Sequence, residues 1–553
     1  MTPRLTESFW PARGDAPPRR RTMAEMLDAA VARRPDAAAL VDGAAPERRL
    51  TYRELDERAR RIAAVLLERL APGDHLALWA PNSIDWVCVQ FGAGLAGVVL
   101  VTVNPAYQRD ELRHVLVQSR ARMLVHAEEH RGRDLAAVAA GAAEGAATVE
   151  HVEALAALLA RADRTAPLAV LPAVAHDAVA QIQYTSGTTG VPKGAMLTHG
   201  GIAVAYTQVA RGAGVTPDEP PTWINAMPLF HCGGAGVATI GTVSHAGTQV
   251  VMPAWDAGTF LALAEAERGT ITLAVPTMLV GLLEHPSRAG RDLRSLSTIL
   301  TGGATVPRDL VLRVERELDA RVLITFGQTE SHGTMCMTRP GDAVDDIAAT
   351  VGYPLDHVDV RIADPDTGAT LPIGALGEIQ VRGGQVMCGY HADEEATAAA
   401  IDPDGWLRFG DLGTMDERGY LRVVGRLKDM IIRGGENIYP REIEDALIAH
   451  PDVSEVAVVG VADPTWGEEV AAVVRPAPDR DAPLDVDVLH AFCRERLAGY
   501  KCPRLWYVVP TFPATPSGKV QKHRLADMIA AGDLEPVASY QRPPRAADTA
   551  QVG

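Results

Sequence analysis

Apolar and polar positions along the chain change their period in a way that predicts helices and strands in alternation. Residues 51–70 repeat apolar side chains at helical spacing, and Thr51 with Glu54 has the pattern of a capping box. Residues 75–79 and the β-branched run at 98–103 are typical of buried strands. This order of elements predicts an α/β fold with parallel sheets.

The alternation continues over most of the first 350 residues. We predict further helices at residues 83–94 and 109–119. We predict further strands at residues 123–126, 178–184, 222–226, 248–251, 272–275, 298–301 and 321–325. Residues 136–171 are rich in alanine and poor in larger apolar side chains, so we expect helices and a loosely constrained connector there.

The pattern changes after about residue 350. Short strands separated by Gly and Asp turns are predicted at residues 359–363, 377–382, 407–409 and 420–424. They indicate a small β-rich subdomain at about 350–427, which completes an N-terminal domain of residues 1–427. Helical and extended runs then predict a compact α+β domain over residues 429–535, and we expect the tail at 536–553 to be disordered.

Composition narrows the class of protein. The chain has 553 residues, of which 47% are apolar and 22% charged, as in soluble proteins of several domains. The formal net charge of -17 disfavours nucleic acid and anionic membranes as partners. Six cysteines show neither C-x-x-C pairs nor metal-ligand spacing, which favours reduced thiols in a cytoplasmic protein.

One uncharged stretch, residues 86–103, approaches the length of a membrane-spanning helix. Ser83 is placed to cap a helix here, and glycines at 92, 94 and 97 are expected to interrupt it. A buried helix followed by a buried strand is therefore the favoured interpretation, and no membrane span is expected. The first 21 residues lack the apolar core of a secretion signal.

Residues 184–194 read YTSGTTGVPKG and follow a predicted strand. Glycines let successive N–H groups wrap an anion, hydroxyls add donors, and Lys193 adds a positive charge. This combination predicts a polyphosphate-binding loop, although a flexible Ser/Gly linker is the alternative for any part of it. The loop is not a Walker A motif, because Val191 and Pro192 separate Gly190 from Lys193.

Followed by residues 196–199 (MLTH), this string resembles the phosphate loop of the acyl-adenylate-forming superfamily, which includes acyl-CoA synthetases, peptide-synthetase adenylation domains and luciferases. The resemblance covers about residues 20–530 in motif order. It implies two parallel α/β subdomains and a β-rich one, then a small mobile domain after a hinge at Lys428. It also implies that the ATP phosphates contact Thr185, Ser186, Gly187, Thr188, Thr189, Gly190, Lys193 and Thr329.

Residues 326–330 (FGQTE) resemble the family motif Y-G-x-T-E, with Phe in place of Tyr. The resemblance implies that the Phe326 ring lies against adenine and that Glu330, with Thr188, holds Mg²⁺. A hard carboxylate oxygen suits that ion. The nucleotide site implied in this way also includes Gly302, Gly303, Ala304, Gly327, Asp411 and Arg426.

Three further matches concern the chemistry. Lys519, in residues 515–520 (TPSGKV), matches the lysine that bridges the attacking carboxylate and the α-phosphate. Gly434 and Gly435 match the segment lining the pantetheine tunnel for CoA. His231, in residues 228–231 (PLFH), matches a gate between the acyl pocket and that tunnel.

No acidic residue follows His231 in residues 232–236 (CGGAG), where amino-acid-activating relatives carry an aspartate. A plain carboxylic acid is therefore favoured, because a buried ammonium without a partner is costly. We expect a medium-chain fatty acid or a bulky alicyclic or aromatic acid, since residues 406–444 look most like medium-chain acyl-CoA ligases. The implied acyl pocket contains Cys232, Gly233, Gly234, Ser331, His332 and Gly333. The alternative is that these glycines serve only backbone packing.

The sequence thus predicts an AMP-forming acid–CoA ligase that uses Mg²⁺, ATP and CoA. An adenylating enzyme whose acyl group is transferred by another protein is the second hypothesis. A non-catalytic nucleotide or acyl binding protein is the third, and the presence of Lys519, Glu330 and the phosphate loop argues against it. A homodimer is expected from the family alone.

Overall fold

A computed structural model describes residues 4–14, 18–185, 192–303, 306–477, 483–514 and 520–540 of the chain. The chain divides into two compact units. The first consists of Met1–Ala375, Ile379–Phe409 and Met415–Arg422. The second consists of Leu376–Glu378, Gly410–Thr414 and Val423–Gly553.

One sheet of the first unit carries the strand that leads into the predicted phosphate loop. Its strands, in spatial order, are Lys193–Thr198, Val179–Thr185, Val99–Val103, His75–Trp79, Met123–His126 and His151–Ala154. Neighbours are parallel except for the first pair, which forms an antiparallel hairpin. The helices of this part of the chain are Tyr52–Leu67, Ile84–Ala96, Arg109–Gln118, Ala136–Ala143 and Leu155–Ala162.

A larger sheet of the same unit is parallel in its middle and antiparallel at both edges. Its strands, in spatial order, are Tyr353–Pro354, Cys336–Met337, Arg321–Phe326, Thr298–Gly302, Ile271–Leu273, Thr222–Asn225, Thr248–Val251, Ala38–Asp42 and Arg49–Thr51. The α-helices of this part are Met23–Arg33, His199–Gly212, Gly241–Ser244, Ala257–Ala266, Pro276–Glu284, Arg308–Leu318 and Val344–Ala349. A π-helix at Cys232–Ile240 and a 3₁₀ turn at Thr329–Ser331 complete the neighbourhood of the candidate site.

The β-rich part of the chain begins with Phe9–Trp10, which pairs antiparallel with Val358–Ala363. The strands Gly377–Gly383, Leu407–Met415 and Leu421–Arg426 belong to the same part, and each crosses the division between the units. The predicted subdomain is therefore rich in strands, but the boundary and hinge at residue 428 stay predictions.

The second unit is built around the long hairpin of Val453–Asp463 and Gly467–Pro476. Its other strands are Ile431–Arg433, Glu436–Ile438, Leu505–Val508 and Ala538–Ser539, and its helices are Pro440–Ile448, Val486–Arg496 and Lys522–Ala531. Successive residues of the hairpin belong to different buried clusters, since Ala472 and Val474 pack with one and Ala471 and Val473 with the other. Both faces of the hairpin are covered, as the strand period of two requires.

Several local predictions are confirmed. The N–H of Glu54 donates to Thr51 Oγ1 at 3.2 Å, and the Thr51 N–H donates to the Glu54 carboxylate at 2.7 Å. Ser83 caps the helix Ile84–Ala96 by accepting the Trp86 N–H at 3.1 Å. Within the ranges given above, the structure has no helix that is long and apolar enough to cross a membrane.

Other local predictions are wrong. Gly92 and Gly94 lie inside the helix Ile84–Ala96 and do not interrupt it. A Cβ on Gly92 would lie 2.5 Å from the Ile62 side chain, so close helix packing explains this glycine. The alanine-rich stretch contains the strand His151–Ala154, which parallel pairing with Met123–His126 holds in place.

Candidate active site

The two flanks of the predicted phosphate loop are strands of one hairpin. Val179–Thr185 pairs antiparallel with Lys193–Thr198. Thr185 lies directly opposite Lys193, at the end of the hairpin next to the predicted loop. Five predicted phosphate ligands between them lie outside the described residues: Ser186, Gly187, Thr188, Thr189 and Gly190. The hairpin fixes the points at which the loop leaves and rejoins the sheet.

Glu330 lies in the turn Thr329–Ser331, just beyond the strand Arg321–Phe326. The turn closes on itself, because the Ser331 hydroxyl accepts the Gln328 N–H at 3.2 Å and donates to the Gln328 carbonyl at 3.0 Å. The Glu330 side chain therefore leaves from a fixed backbone, and the residue is only 8% exposed. Thr329, the other predicted ligand here, is buried as well.

One oxygen of the Glu330 carboxylate carries two hydrogen bonds. The Tyr390 hydroxyl donates to Oε1 at 2.8 Å, and Thr185 Oγ1 donates to the same oxygen at 3.3 Å. No described residue donates to Oε2. The predicted phosphate loop and the predicted Mg²⁺ ligand are thus joined through Thr185. A hard oxygen beside a polyphosphate loop fits the habit of Mg²⁺, which takes one or two carboxylates together with phosphate oxygens and waters.

Tyr390 was missed in the sequence, where a tyrosine in a Gly-Tyr pair gives no chemical signal. Its segment pairs with the edge of the hairpin. The Met196 N–H donates to the Gly389 carbonyl at 2.9 Å, and the His391 N–H donates to the Gly194 carbonyl at 2.8 Å. Burial, followed by the nearby Glu330 carboxylate, raises the pKa of the Tyr390 hydroxyl, which keeps it a neutral donor.

The predicted adenine-binding residues meet where two parallel strands end. Gly302 ends the strand Thr298–Gly302 beside Thr325, and a Cβ on it would lie 2.2 Å from the Thr325 carbonyl oxygen. Gly303 follows with φ +78°, in the left-handed region that favours glycine. Ala304 lies outside the described residues. The carboxyl ends of parallel strands are where α/β folds bind ligands.

Phe326 supplies an aromatic face at the same edge. Its ring stacks with Phe409 at a centroid distance of 5.8 Å and an interplanar angle of 30°. The Gln328 side-chain amide donates a hydrogen bond to the Phe409 carbonyl at 2.7 Å. A Cβ on Gly327 would lie 2.7 Å from the Gly333 carbonyl oxygen, so no other residue fits this backbone without a shift.

His231 begins the π-helix Cys232–Ile240, where its Nδ1 accepts the Gly233 N–H at 3.2 Å. The whole helix is buried, and π-helical turns are common at functional sites. Its glycines are tightly packed: a Cβ on Gly234 would lie 2.3 Å from the Pro228 carbonyl oxygen. Packing accounts for this glycine, as the alternative interpretation proposed. An acyl-binding role for Cys232 and Gly233 stays a prediction.

His332 and Gly333, the other segment of the predicted acyl pocket, lie close to the π-helix Cys232–Ile240. A Cβ on Gly333 would lie 2.9 Å from Cys232 Sγ, which brings the two predicted pocket segments together. His332 is fully buried, and its Nδ1 contacts the Gln385 carbonyl. Burial lowers the pKa of His332 to about 4, so the ring is neutral at physiological pH.

Tyr206 is a second residue that the sequence did not single out. Its ring packs against the π-helix, because a Cβ on Gly236 would lie 2.0 Å from Tyr206 Cζ. The Tyr206 hydroxyl is buried and has no hydrogen-bond partner within the described part of the chain. The Tyr206 ring therefore fills the space beside Gly236.

The second unit contains two residues of the predicted nucleotide site. Asp411 is 5% exposed and pairs with Arg426, whose Nε lies 3.3 Å from Asp411 Oδ1. Burial lowers the pKa of the neighbouring Lys428, against the opposing effects of Asp429 and Asp411. Asp411, Arg426 and Lys428 therefore lie near one another, and their roles at the nucleotide and the hinge stay predictions.

Gly434 and Gly435 form the two-residue turn between Ile431–Arg433 and Glu436–Ile438, where Arg433 pairs with Glu436. Their φ values are +60° and +86°, the combination that a type I′ hairpin needs. Lys519 lies outside the described residues. Ala514 and Val520, which flank its segment, form an antiparallel bridge.

Among the described residues, no group of three or more His, Cys, Asp or Glu side chains has the arrangement of a metal site. The role of Glu330 as a Mg²⁺ ligand stays a prediction, and its single carboxylate fits an ion that takes most of its ligands from phosphate and water.

Comparison with known proteins gives the family. A model described as AMP-binding enzyme matches residues 27–391, and a model described as AMP-binding enzyme C-terminal domain matches residues 442–519. A solved structure of ATP-bound MatB from Rhodopseudomonas palustris has a TM-score of 0.84 at 30% identity, covering 91% of this chain and 98% of that one. The predicted fold class is confirmed.

Two relatives by sequence support the same family. The chain is 41% identical over 477 residues to a feruloyl-CoA synthase of Amycolatopsis sp, covering 86% of this chain and 92% of that protein. It is 33% identical over 542 residues to the mitochondrial medium-chain acyl-CoA ligase ACSF2 of Macaca fascicularis, covering 92% of this chain and 87% of that protein. The chain therefore belongs to the family of AMP-binding enzymes, as an acid–CoA ligase that takes ATP and CoA as cosubstrates.

Proposed function

We propose that the enzyme activates a carboxylic acid without an α-amino group in two steps. The acid first displaces pyrophosphate from ATP to give an acyl-adenylate, and the thiol of CoA then displaces AMP to give a thioester. The observation that carries the first step is the link between Thr185 at the phosphate hairpin and the buried Glu330 carboxylate. This hydrogen bond supports a single site in which the proposed phosphate loop and the proposed metal ligand act together.

In the first step, Lys193 and the hydroxyls of the loop would bind the ATP phosphates. Glu330 would hold Mg²⁺, which stabilises the charge on the departing pyrophosphate when it is bound. Asp411, paired with Arg426, would accept hydrogen bonds from both ribose hydroxyls. Lys519 would stabilise the charge that the attacking carboxylate and the α-phosphate share in the transition state.

In the second step, the unit that carries Lys519 would rotate about Lys428 and present a different face. The hairpin turn at Gly434 and Gly435 would then lie along the pantetheine arm of CoA. Gly435 suits this role, because nothing lies within 4 Å of the position a Cβ would take. His231 would stand between the acyl group and the thiol.

The acid is proposed to be aromatic, alicyclic or a medium-chain fatty acid. The segment that follows His231 offers no carboxylate to an amine, and the helix Cys232–Ile240 is buried and weakly polar. A feruloyl-CoA synthase and a medium-chain acyl-CoA ligase are among the relatives. The cytoplasmic location and the homodimer stay predictions.

Exchange of pyrophosphate into ATP, measured across a panel of aryl, alicyclic and fatty acids, tests the first step. We expect acid-dependent exchange that falls about 10²–10³-fold in Lys519→Ala, because an electrostatic contact made in the transition state is lost. Lys522→Ala is the matched control: its ammonium is already paired with Glu444 at 2.6 Å, and exchange should persist.

The second step is tested by supplying purified acyl-adenylate and CoA. Lys519→Ala should still form thioester, since its lysine acts in the first step. In the complete reaction of acid, ATP and CoA, formation of ADP instead of AMP would contradict the proposal. Exchange without thioester formation would favour the adenylating enzyme that relies on another protein, and absence of exchange with every acid would favour a binding protein.

A further inference from the structure

Tyr390 stands between the two charged side chains of the candidate phosphate site. Its hydroxyl donates to Glu330 Oε1 at 2.8 Å, and Lys193 Nζ lies 5.4 Å from the centroid of its ring. One side chain therefore contacts an anion through its edge and a cation through its face. Both contacts match the polarity of a phenol, whose O–H donates and whose ring face attracts positive charge.

The backbone at Tyr390 is fixed on both sides. Tyr390 forms an antiparallel bridge with Ala195, two residues after Lys193. Its N–H donates to Thr397 Oγ1 at 2.9 Å, which ties it to the helix Glu394–Ala400. The ring is thus held beside the hairpin by backbone contacts, so its contacts with Glu330 and Lys193 are built into the fold.

The Lys193 ammonium and the Glu330 carboxylate both contact Tyr390, and these opposite charges would otherwise attract each other. In water-poor surroundings, opposite charges in contact interact strongly, and a direct pair would occupy both the phosphate-binding ammonium and the metal-binding carboxylate. Within the described part of the chain, Lys193 forms no ion pair. Glu330 instead uses Oε1 for hydroxyl donors, which leaves Oε2 for a ligand.

We propose that Tyr390 is a positioning residue that orients the Glu330 carboxylate and keeps it apart from the Lys193 ammonium before ATP binds. This proposal rests on the proposed function, in which Glu330 holds Mg²⁺ and Lys193 binds phosphate. Tyr390 itself touches neither substrate nor metal in this role. It prepares the charges of the site in advance, as catalytic electrostatics requires.

Two substitutions separate the two parts of this role. Tyr390→Phe removes the hydroxyl but keeps the ring between the charges. Tyr390→Ala removes both. We measure binding of a fluorescent ATP analogue to the full chain as a function of Mg²⁺ concentration, which reports positioning without turnover.

For Tyr390→Phe we expect the Mg²⁺ concentration at half-saturation to rise about tenfold, because a hydrogen bond to a charged group is lost. Affinity for the analogue at saturating Mg²⁺ should stay within about twofold of the parent. For Tyr390→Ala we expect that affinity to fall about tenfold as well, since Lys193 is then free to pair with Glu330. Thermal unfolding of each variant checks that the fold is intact.

Tyr420→Phe is the matched control. The Tyr420 hydroxyl donates to Asp342 Oδ1 at 2.7 Å, so it is a second tyrosine–carboxylate contact of the same unit, away from the hairpin. Tyr420→Phe should leave the dependence of analogue binding on Mg²⁺ concentration unchanged. A Tyr390→Phe curve that coincides with that of the parent or of Tyr420→Phe would overturn the proposal.

Glu330→Gln distinguishes failure of the positioning role of Tyr390 from failure of the proposed metal site. If it shifts the Mg²⁺ curve while Tyr390→Phe does not, the positioning role is wrong and the proposed metal site survives. If Glu330→Gln leaves the curve unchanged, both the metal site and the role of Tyr390 are overturned. Shifts in both variants, with the larger in Glu330→Gln, support the proposal.

Discussion

Two glycine-containing turns, one in each unit, carry predicted site residues and are built on opposite principles. In the first unit, the turn that carries Glu330 is buried, and a Cβ on Gly327 would lie 2.7 Å from the Gly333 carbonyl oxygen and 2.8 Å from Thr334 Cα. In the second unit, Gly435 has φ +86° and open space around it. One glycine is required by its neighbours, the other by the handedness of its own backbone.

The difference fits the two steps proposed for the enzyme. A packed turn holds Glu330 in one geometry, which suits a site that must place charge against phosphate before reaction. An uncovered turn leaves its backbone accessible, which suits an extended thiol arm that enters and leaves. Substitution at these two glycines should therefore give different kinds of defect.

Among the tests of this comparison, the largest effect is expected from Gly327→Ala. The added methyl group meets backbone atoms that have no side-chain freedom to yield, so the turn and the strand Arg321–Phe326 must shift. Overpacking of this kind costs about 1–3 kcal/mol in the free energy of unfolding. We also expect pyrophosphate exchange to fall more than about tenfold, since Glu330 moves with the turn.

Gly281→Ala, in the helix Pro276–Glu284, is the control for Gly327→Ala. The nearest atom to its Cβ would be Trp255 Cζ2 at 3.9 Å, and alanine favours a helix over glycine. Chemical denaturation should show this variant as stable as the parent or more so. If Gly327→Ala behaves in the same way, close packing does not define the first turn.

The sequence predicted the order of elements well where apolar periodicity was strong. The strands His75–Trp79, Met123–His126 and Thr248–Val251 are found at the predicted residues. Lys193–Thr198 was not predicted as a strand, because it has no β-branched run and is held by pairing with Val179–Thr185. Pairing across the chain overrides local pattern in such segments.

The candidate site shows the same division. Motifs located Glu330, Gly302, Asp411 and Gly434 because each belongs to a recognisable string. Tyr390 was missed, because its contact with Glu330 joins residues 60 positions apart in sequence and depends on how a loop lies against a strand edge. No local pattern records such a contact. The role of Lys519 stays a prediction from its motif.

A smaller effect is expected when the pH is lowered. It concerns the first unit, which contains the packed turn. His199 begins the helix behind the phosphate hairpin, and its Nδ1 accepts the Met23 N–H at 3.2 Å. Burial lowers the pKa of His199 to about 4, below its ordinary value of about 6.5, and the nearby Glu25 only partly opposes this. The folded state therefore holds a neutral ring where the unfolded state takes up a proton.

The lowered pKa of His199 makes the free energy of unfolding depend on pH. Above pH 6.5 neither state is protonated at this residue, and between about pH 6.5 and 4 only the unfolded state gains the proton, so the free energy of unfolding falls as the pH is lowered. For His199→Gln we expect the slope of that energy against pH to decrease by up to one proton, about 1.4 kcal/mol per pH unit. Urea unfolding at several pH values measures the slope, and an unchanged slope would exclude His199 as its source.

The smallest effect is expected at the open turn. Gly435→Ala places a side chain at positive φ, which costs about 1–2 kcal/mol, but it clashes with nothing. Gly435→Asn should cost less, because asparagine tolerates this backbone and suits a type I′ turn. Pyrophosphate exchange should be unaffected in both variants, while KM for CoA rises with the size of the side chain.

Gly532 provides the matched control for this last prediction. It ends the helix Lys522–Ala531 at φ +78° with nothing within 4 Å of a Cβ, so Gly532→Ala carries the same backbone strain at a place with no proposed contact to CoA. Equal losses of stability in Gly435→Ala and Gly532→Ala, with a raised KM for CoA only in the former, would separate strain from obstruction of the thiol path. A raised KM in both variants would mean that strain alone explains the effect, and the open turn would lose its proposed role.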